Sequence, residues 1–395
     1  MSKIAEGYKQ TEVGVIPRDW EVKKLSDISN MKSGDSITSK RIFEIDSYPC
    51  YGGNGLRGYT SKYTHDGDYA LIGRQGALCG NVQFVMDKFF ASEHAVVVTP
   101  KTNTDIKWLY YMLIDMNLNQ YSESSAQPGL SVSKILNLPI HLPPTKAEQT
   151  AIATVLNDAD ALITQLEKLI AKKRNIKQGA MQELLRPKKG WEVKKLGDVF
   201  RFLNTANNAR ADLLESGEVE YIHYGDIHTR WNCFLDCSKN ELPFIDKGKI
   251  TGVPLLENGD LVIADASEDY EGLGACIEIN NIGKRKIIAG LHTLLLRGNK
   301  NILADGFKGN LRNYKGVKDA LIRVSTGVSV FGISKTNLKE IEISIPSIIE
   351  EQKEIAQILS DMDAEIEALE KKLEKYKMLK QGMMQNLLTG KIRLV

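Results

Sequence analysis

Two glycine-rich stretches of this chain carry side chains suited to recognising another polymer. They are Tyr51-Gly52-Gly53-Asn54-Gly55-Leu56-Arg57-Gly58-Tyr59 and Ile72-Gly73-Arg74-Gln75-Gly76-Ala77. Asn54, Arg57, Tyr59, Arg74 and Gln75 sit among glycines, where a backbone lacking Cβ atoms can approach a partner closely. Farther on, Asn204, Asn207, Asn208 and Arg210 form a polar stretch, and Tyr224, Asp226, His228 and Arg230 follow it. The chemistry open to this set is hydrogen bonding to base edges: Arg matches the paired acceptors of guanine, and Asn or Gln the acceptor and donor of adenine. Other Lys and Arg would contact phosphates, which position a protein without specifying sequence. The bland alternative is that these stretches are ordinary polar turns. His94 and His292, each ahead of an apolar run, read as structural, and Lys172-Lys173-Arg174 as a solvated helix face.

Catalytic patterns are missing. There is no Gly-x4-Gly-Lys-Ser/Thr phosphate cradle and no Asn/Asp-Pro-Pro-Tyr/Phe block of the adenine-methyltransferase kind. Gly272-Leu273-Gly274 lacks the third glycine of a dinucleotide loop. Glu351-Gln352-Lys353 imitates a nuclease Glu-x-Lys but opens a predicted helix and recurs only as Glu148-Gln149-Thr150. Cys233-x3-Cys237 is a single candidate metal pair. The five cysteines are odd in number and scattered, which argues against a disulfide framework.

The elements that must hold these residues are written twice. Trp20-Glu21-Val22-Lys23-Lys24-Leu25 recurs as Trp191-Glu192-Val193-Lys194-Lys195-Leu196, at an offset of 171. Gly67-Asp68 parallels Gly259-Asp260 at 192, Ala91-x-x-His94 parallels Ala289-x-x-His292 at 198, and Pro143 to Leu156 parallels Pro346 to Leu359 at 203. Offsets that rise in order describe two copies of one fold with insertions in the second, most of them between Trp191 and Gly259. Short apolar runs between Gly, Asn and Asp turns predict strands, and Ile106 to Leu113 predicts a helix.

After each copy comes a long helical pattern. Ile152, Leu156, Ala159, Ile163, Leu166 and Ile170 step 4-3-4-3-4, and Ile355, Leu359, Met362, Ile366, Leu369, Leu373 and Tyr376 step 4-3-4-3-4-3. This is a coiled-coil seam. A parallel pair would set Lys177 on Lys380. An antiparallel pair sets Lys177 near Asp361 and Asp363, and Lys380 near Asp158 and Asp160, which favours antiparallel pairing. The other arrangement is two helices that pack separately, each on its own domain.

Lys plus Arg number 52 against 50 Asp plus Glu. That balance speaks against broad polyanion binding and leaves room for local patches. Hydrophobic residues are 42% of the chain, enough for more than one core. No apolar run reaches the length of a membrane span, and the N-terminus turns polar at once, so the cytoplasm is expected.

Taken together, the chain resembles the DNA-specificity subunit of type I restriction–modification systems. The resemblance rests on Leu-Pro-x3-Glu-Gln-x2-Ile-Ala-x2-Leu, present loosely as Pro143 to Leu156 and Pro346 to Leu359. It also rests on Tyr8-Lys9-x-Thr11-Glu12 through Trp20 and on Leu387-Leu388-Thr389-Gly390-Lys391-Ile392-Arg393-Leu394. It implies an α+β chain of two mixed α/β target-recognition domains separated by two long antiparallel helices. The corresponding division is 1–145, 146–188, 189–347 and 348–395. It implies a non-catalytic reader of double-stranded DNA, each recognition domain taking one half of a split, asymmetric site. The helices would fix the gap and dock two methyltransferase subunits, which restriction subunits carrying motor and nuclease then join. No cofactor is expected on this chain; S-adenosylmethionine, ATP and Mg would belong to the partners. The alternative is a coiled-coil protein scaffold without DNA readout. The repeat further implies a circular layout, with the two ends of the chain close together.

Overall fold

The computed structural model describes residues 5–76, 78–123, 128–314 and 316–394. Residues 1–4 of the N-terminal reading and Ala77 of the second glycine-rich stretch lie outside them. The chain divides into two compact units, one built from residues up to Lys168 and from Glu370 onward, the other from Leu169–Leu369. No helix among the described residues is long and apolar enough to cross a membrane.

In the first unit, four antiparallel strands lie in the order Ser29–Ser33, Ala95–Pro100, Tyr69–Gly73, Val82–Val85. Side chains alternate across a strand, and the central one uses both faces. Val96 and Val98 join Trp108, Leu109 and Met112 of the helix Ile106–Asp115, while Val97 joins Leu71, Phe89 and Ala91 opposite. Asp105 caps that helix, accepting from the N–H groups of Lys107 and Trp108 at 2.9 and 3.0 Å, the usual satisfaction of orphan donors at a helix start. A second sheet runs Gly55–Thr60, Tyr48–Gly52, Lys88–Ala91, His65–Asp66.

The second unit repeats this plan. Its main sheet runs Phe200–Leu203, Thr293–Gly298, Asp260–Ala264, Cys276–Asn280, Cys233–Asp236. Leu261, Ile263 and Leu296 face one core; Val262, Ala264 and Leu295 face the other. The fifth strand, Cys233–Asp236, pairs in parallel with Cys276–Asn280 and has no counterpart among the described residues of the first unit.

Strand register corrects the sequence alignment at one point. Ala95 pairs with Gly73, and Thr293 with Ala264. With Ala95 and Thr293 matched at the offset of 198, Gly73 answers to Ala264, an offset of 191 rather than 192. The turn before the first unit's strand is one residue longer: the strands begin at Tyr69 and at Asp260. The offset of 171 lasts farther than its sequence identity, because the parallel pairs Ala91 with Tyr51 and Ala289 with Ile222 match. The insertion therefore falls after Ile222, where the helix Tyr224–Thr229 and the fifth strand lie.

The long helices are Lys146–Leu184 and Ile349–Leu387. Within the first unit Lys380 meets Asp160 at 2.6 Å and Lys377 meets Glu167 at 2.8 Å. Within the second, Lys177 binds Asp363 and Lys173 meets Glu365 at 2.6 Å. In both, the partner's number falls as the other rises, so the pairing is antiparallel. Ile163, Leu166, Ile170 and Ile366 are buried along the seam; Met362, Leu369 and Leu373 are half-buried. The outer ends of the pattern do a second job. Ile152 and Leu156 pack into the first unit's core beside Trp108 and Ile140, and Ile355 and Leu359 into the second's beside Leu338 and Ile343.

The Glu-Gln motif moors each helix to its domain. Gln149 accepts from the Asp105 N–H at 2.9 Å, and Gln352 accepts from Ala304 N–H and donates to the carbonyls of Ile302 and Pro346 at 2.8 and 2.9 Å. Both amides are buried. Buried polar groups persist when hydrogen-bonded, which accounts for a polar pair at the start of an apolar seam.

The two ends of the described chain meet inside the first unit. Tyr8 Oη donates to the Gly390 carbonyl at 3.2 Å, and Gly390 abuts Pro17 and Trp20, where a Cβ would lie 2.6 Å from Pro17 Cγ. A chain reopened between Arg186 and Gly190, with residues 1 and 395 joined through a short linker, is expected to fold with a melting midpoint within a few degrees of the parent. Circular dichroism during heating measures this, and a permuted chain lacking a cooperative transition would contradict the circular layout.

Candidate nucleic-acid interface

In the first unit the strands Tyr48–Gly52 and Gly55–Thr60 form a hairpin with a two-residue turn, Gly53-Asn54. Asn54 lies exposed at its tip, with exposed Leu56 and Arg57 beside it. The turn is packed against the end of the central sheet. A Cβ on Gly73 would lie 1.9 Å from the Gly53 carbonyl oxygen, so this approach requires glycine. Gly53 in turn abuts Gln75 and His94. The fold thus brings the Asn54 turn to the segment Arg74-Gln75. Gln75 is exposed. Arg74 is half-buried, donating Nη1 to Ser33 Oγ at 2.9 Å, with its Nε enclosed and without a hydrogen-bond partner among the described residues. Tyr59 sits apart at the hairpin's far end, its backbone paired in both directions with Phe43.

The corresponding place in the second unit is built differently. Where the first unit turns its hairpin, the second places Tyr224, Asp226 and His228 on the helix Tyr224–Thr229. Asp226 is buried and takes Arg210 Nη2 at 3.1 Å; the same Nη2 lies 3.2 Å from His223 Nδ1. Asp226 Oδ1 and Arg210 Nη2 are therefore engaged with each other, which holds Arg210 in place, while Asp226 Oδ2 is buried with no hydrogen-bond partner among the described residues. Burial and the nearby Arg210 guanidinium push the His223 pKa down. Arg230 is exposed, lies over the Trp231 ring at 5.1 Å and donates to the Glu241 carbonyl at 3.3 Å. Asn207 is exposed in the segment anchored by Ala206 N–H on the Ala289 carbonyl.

Beside that helix lies a cavity of about 880 Å³. Tyr224, His228, Trp231, Asp269, His292 and Arg312 are among the residues lining it. The Tyr224 ring meets His292 edge-on at 5.3 Å and His223 at 4.7 Å. His228 Nε2 is 2.9 Å from the Ala266 carbonyl. Asp265 Oδ1 lies 3.3 Å from His292 Nδ1, and burial raises its carboxyl pKa. The sequence reading passed over Asp265, Asp269 and Trp231 and took His292 as structural. For Asp265 the signal is the offset of 191, which places it opposite Arg74.

No group of three or more His, Cys, Asp or Glu among the described residues is arranged to hold a metal ion. Cys237 is buried, and burial lifts its thiol pKa to about 11. Cys233 is half-buried, with burial also raising its pKa. Neither is poised as a thiolate ligand.

The first unit also carries an apolar groove of about 450 Å³, formed by Val155, Met378, Leu379, Met383, Ile392 and Leu394 with neighbouring residues. Met378 and Leu379 are more than half exposed. Single exposed apolar residues are common; contiguous ones on a helix mark contact surfaces.

Comparison with known proteins places this architecture. The family model described as type I restriction modification DNA specificity domain matches residues 17–178 and again 188–377. A specificity subunit of the type I restriction enzyme EcoprrI from Escherichia coli is 45% identical over 163 residues, 40% of this chain and 39% of that protein. The putative specificity subunit of the type I restriction enzyme MjaX from Methanocaldococcus jannaschii is 25% identical over 98% of this chain and 97% of that one. The crystal structure of a type I restriction–modification S subunit from M. genitalium matches with a TM-score of 0.65 at 17% identity, covering 98% of this chain and 97% of that chain. That likeness is one of fold.

Proposed function

The chain belongs to the type I restriction modification DNA specificity family, and from that premise we propose that each of its two units reads one half of a split, asymmetric DNA target. The observation that carries the proposal is the pair of unlike polar surfaces at the same place of a repeated fold. One is a hairpin bearing Asn54 and Arg57, packed against the segment Arg74-Gln75; the other is a short helix with Tyr224 and His228 beside a cavity. Arg and Gln side chains at such positions match guanine and adenine edges. Two different readers on one chain give a target whose halves differ.

The antiparallel helices fix the gap between the halves. They also dock two methyltransferase subunits, for which the groove at Met378 and Leu379 supplies apolar area. Restriction subunits complete the complex. This chain contributes recognition and no chemistry; S-adenosylmethionine, ATP and Mg act on the partners, in the cytoplasm. The test is to assemble the chain with its candidate methyltransferase subunits and S-adenosylmethionine, treat unmethylated genomic DNA and map every methylated adenine. All are expected within one motif of two unlike halves. Methylation at sequences sharing no motif would overturn the assignment.

A further inference from the structure

The repeat allows the two units to be compared residue for residue just past the strands Tyr69–Gly73 and Asp260–Ala264. In the first unit the Arg74 N–H donates to the His94 carbonyl at 3.1 Å and the Leu130 N–H donates to the Arg74 carbonyl at 2.9 Å. In the second, the Asp265 N–H donates to the His292 carbonyl at 3.1 Å and the Ile333 N–H donates to the Asp265 carbonyl at 2.8 Å. The next residues also match: Gln75 bridges to Gly129, and Ala266 pairs with Gly332. One backbone cradle therefore holds a guanidinium in one unit and a carboxylate in the other.

The surroundings follow the charge. Among the described residues Arg74 is tied by one side-chain bond, to the neutral hydroxyl of Ser33. Asp265 faces His292 and keeps a side-chain exposure of 28%. Glu268 and Asp269, both exposed, lie three and four positions farther on and line the adjacent cavity with His292. A carboxylate has no donor to offer and only accepts. Beside a polyanion such a group is unfavourable unless it meets hydrogen-bond donors. In the major groove the amino groups of cytosine and adenine are those donors, and cytosine offers no neighbouring acceptor that would oppose a carboxylate.

We propose that the shared position of Arg74 and Asp265 is a specificity switch, at which Arg74 selects guanine in the first unit's half-site and Asp265 selects cytosine in the second's. This rests on the DNA-reading function above. His292 is a positioning residue in this arrangement, holding the Asp265 carboxylate from one side.

The experiment is selection from a random duplex pool with the chain assembled on its methyltransferase partner. It compares the parent with Arg74→Met, Asp265→Asn and Asp265→Ser. For Arg74→Met, the preference for guanine at one position of one half is expected to fall about tenfold or more, with the other half unchanged. Either Asp265 substitution is expected to lower a cytosine preference by a similar factor in the opposite half only. Two Asp265 variants are carried so that a fold lost in one leaves the other to decide. A parent motif without guanine and cytosine at such positions, or variants that leave both halves unchanged, overturns the switch while the DNA-reading function stands. Failure of both Asp265 variants to assemble also overturns it, since Asp265 would then serve the fold. Absence of any motif from the assembled parent overturns the DNA-reading function itself.

Discussion

Replacing Arg393 with alanine is expected to lower the unfolding free energy of the first unit by about 2.5 kcal/mol. Arg393 Nη1 and Nη2 each donate to Asp19 at 3.0 Å, Nη2 also donates to Glu148 Oε2 at 2.9 Å, and Nε binds Glu148 Oε1. The Glu148 side chain is 1% exposed. Removing the cation leaves a buried carboxylate without its partner, the costly half of breaking a buried ion pair. The cost is set below the full range because Arg393 itself is a quarter exposed. The second unit supplies the control. There Glu351, the counterpart of Glu148, accepts from Trp191 Nε1 at 3.1 Å, a neutral donor in place of an arginine. Glu351→Ala, which removes the acceptor, is expected to cost about 1 kcal/mol, the scale of one hydrogen bond. Urea unfolding followed by tryptophan fluorescence separates the two. Trp20 and Trp108 belong to the first unit, Trp191 and Trp231 to the second, so phenylalanine at either pair silences one unit. The double variant Arg393→Ala with Glu148→Leu should recover part of the loss, because no buried charge then remains. A change under about 0.5 kcal/mol for Arg393→Ala, the ordinary range of a surface substitution, would contradict the mooring role.

A four-residue helical insertion in both long helices is expected to move the selected half-sites apart by one or two base pairs and to cut affinity for the original spacing at least a hundredfold. Four residues add about 6 Å of helix, close to two base-pair steps of about 3.4 Å. With one half-site out of reach, roughly half of the usual specific binding energy is lost, which is the source of the hundredfold figure. The insertions belong after Lys168 and after Leu369, where each helix passes from one unit to the other. That placement preserves the ion pairs Lys380–Asp160 and Lys177–Asp363 and the moored helix starts. Selection from random duplexes gives the gap directly. A variant complex that binds with the parent gap would remove the helices from the role of spacer.

The helix pairing was legible because it depends on residue type at a fixed period. The charges of Lys177 and Lys380 sufficed to choose the antiparallel arrangement, and Asp363 and Asp160 receive them. The repeat was legible wherever identical residues survive, at Trp20 and Trp191 or at the two Glu-Gln pairs. It slipped by one residue before the strands Tyr69–Gly73 and Asp260–Ala264 because an alignment on Gly-Asp assumes turns of equal length, and register is set by the strands instead. The second unit's surface was less legible. A six-residue helix is too short to show a period, so the placement of Tyr224, Asp226 and His228 on one element went unseen. Arg210 and Asp226 are sixteen residues apart, and a pair made by tertiary folding leaves no local pattern. Arg74 drew notice as a basic residue among glycines, whereas Asp265, in the same cradle, lies in an acidic stretch that resembles ordinary surface.

The most direct measurement is enrichment of binding sites from a random duplex pool at moderate salt by the chain assembled with its candidate methyltransferase partner. Two unlike sequence halves around a fixed gap are the result expected of two different readers on one repeated fold. A single contiguous motif, or no enrichment by an assembled complex, would contradict it.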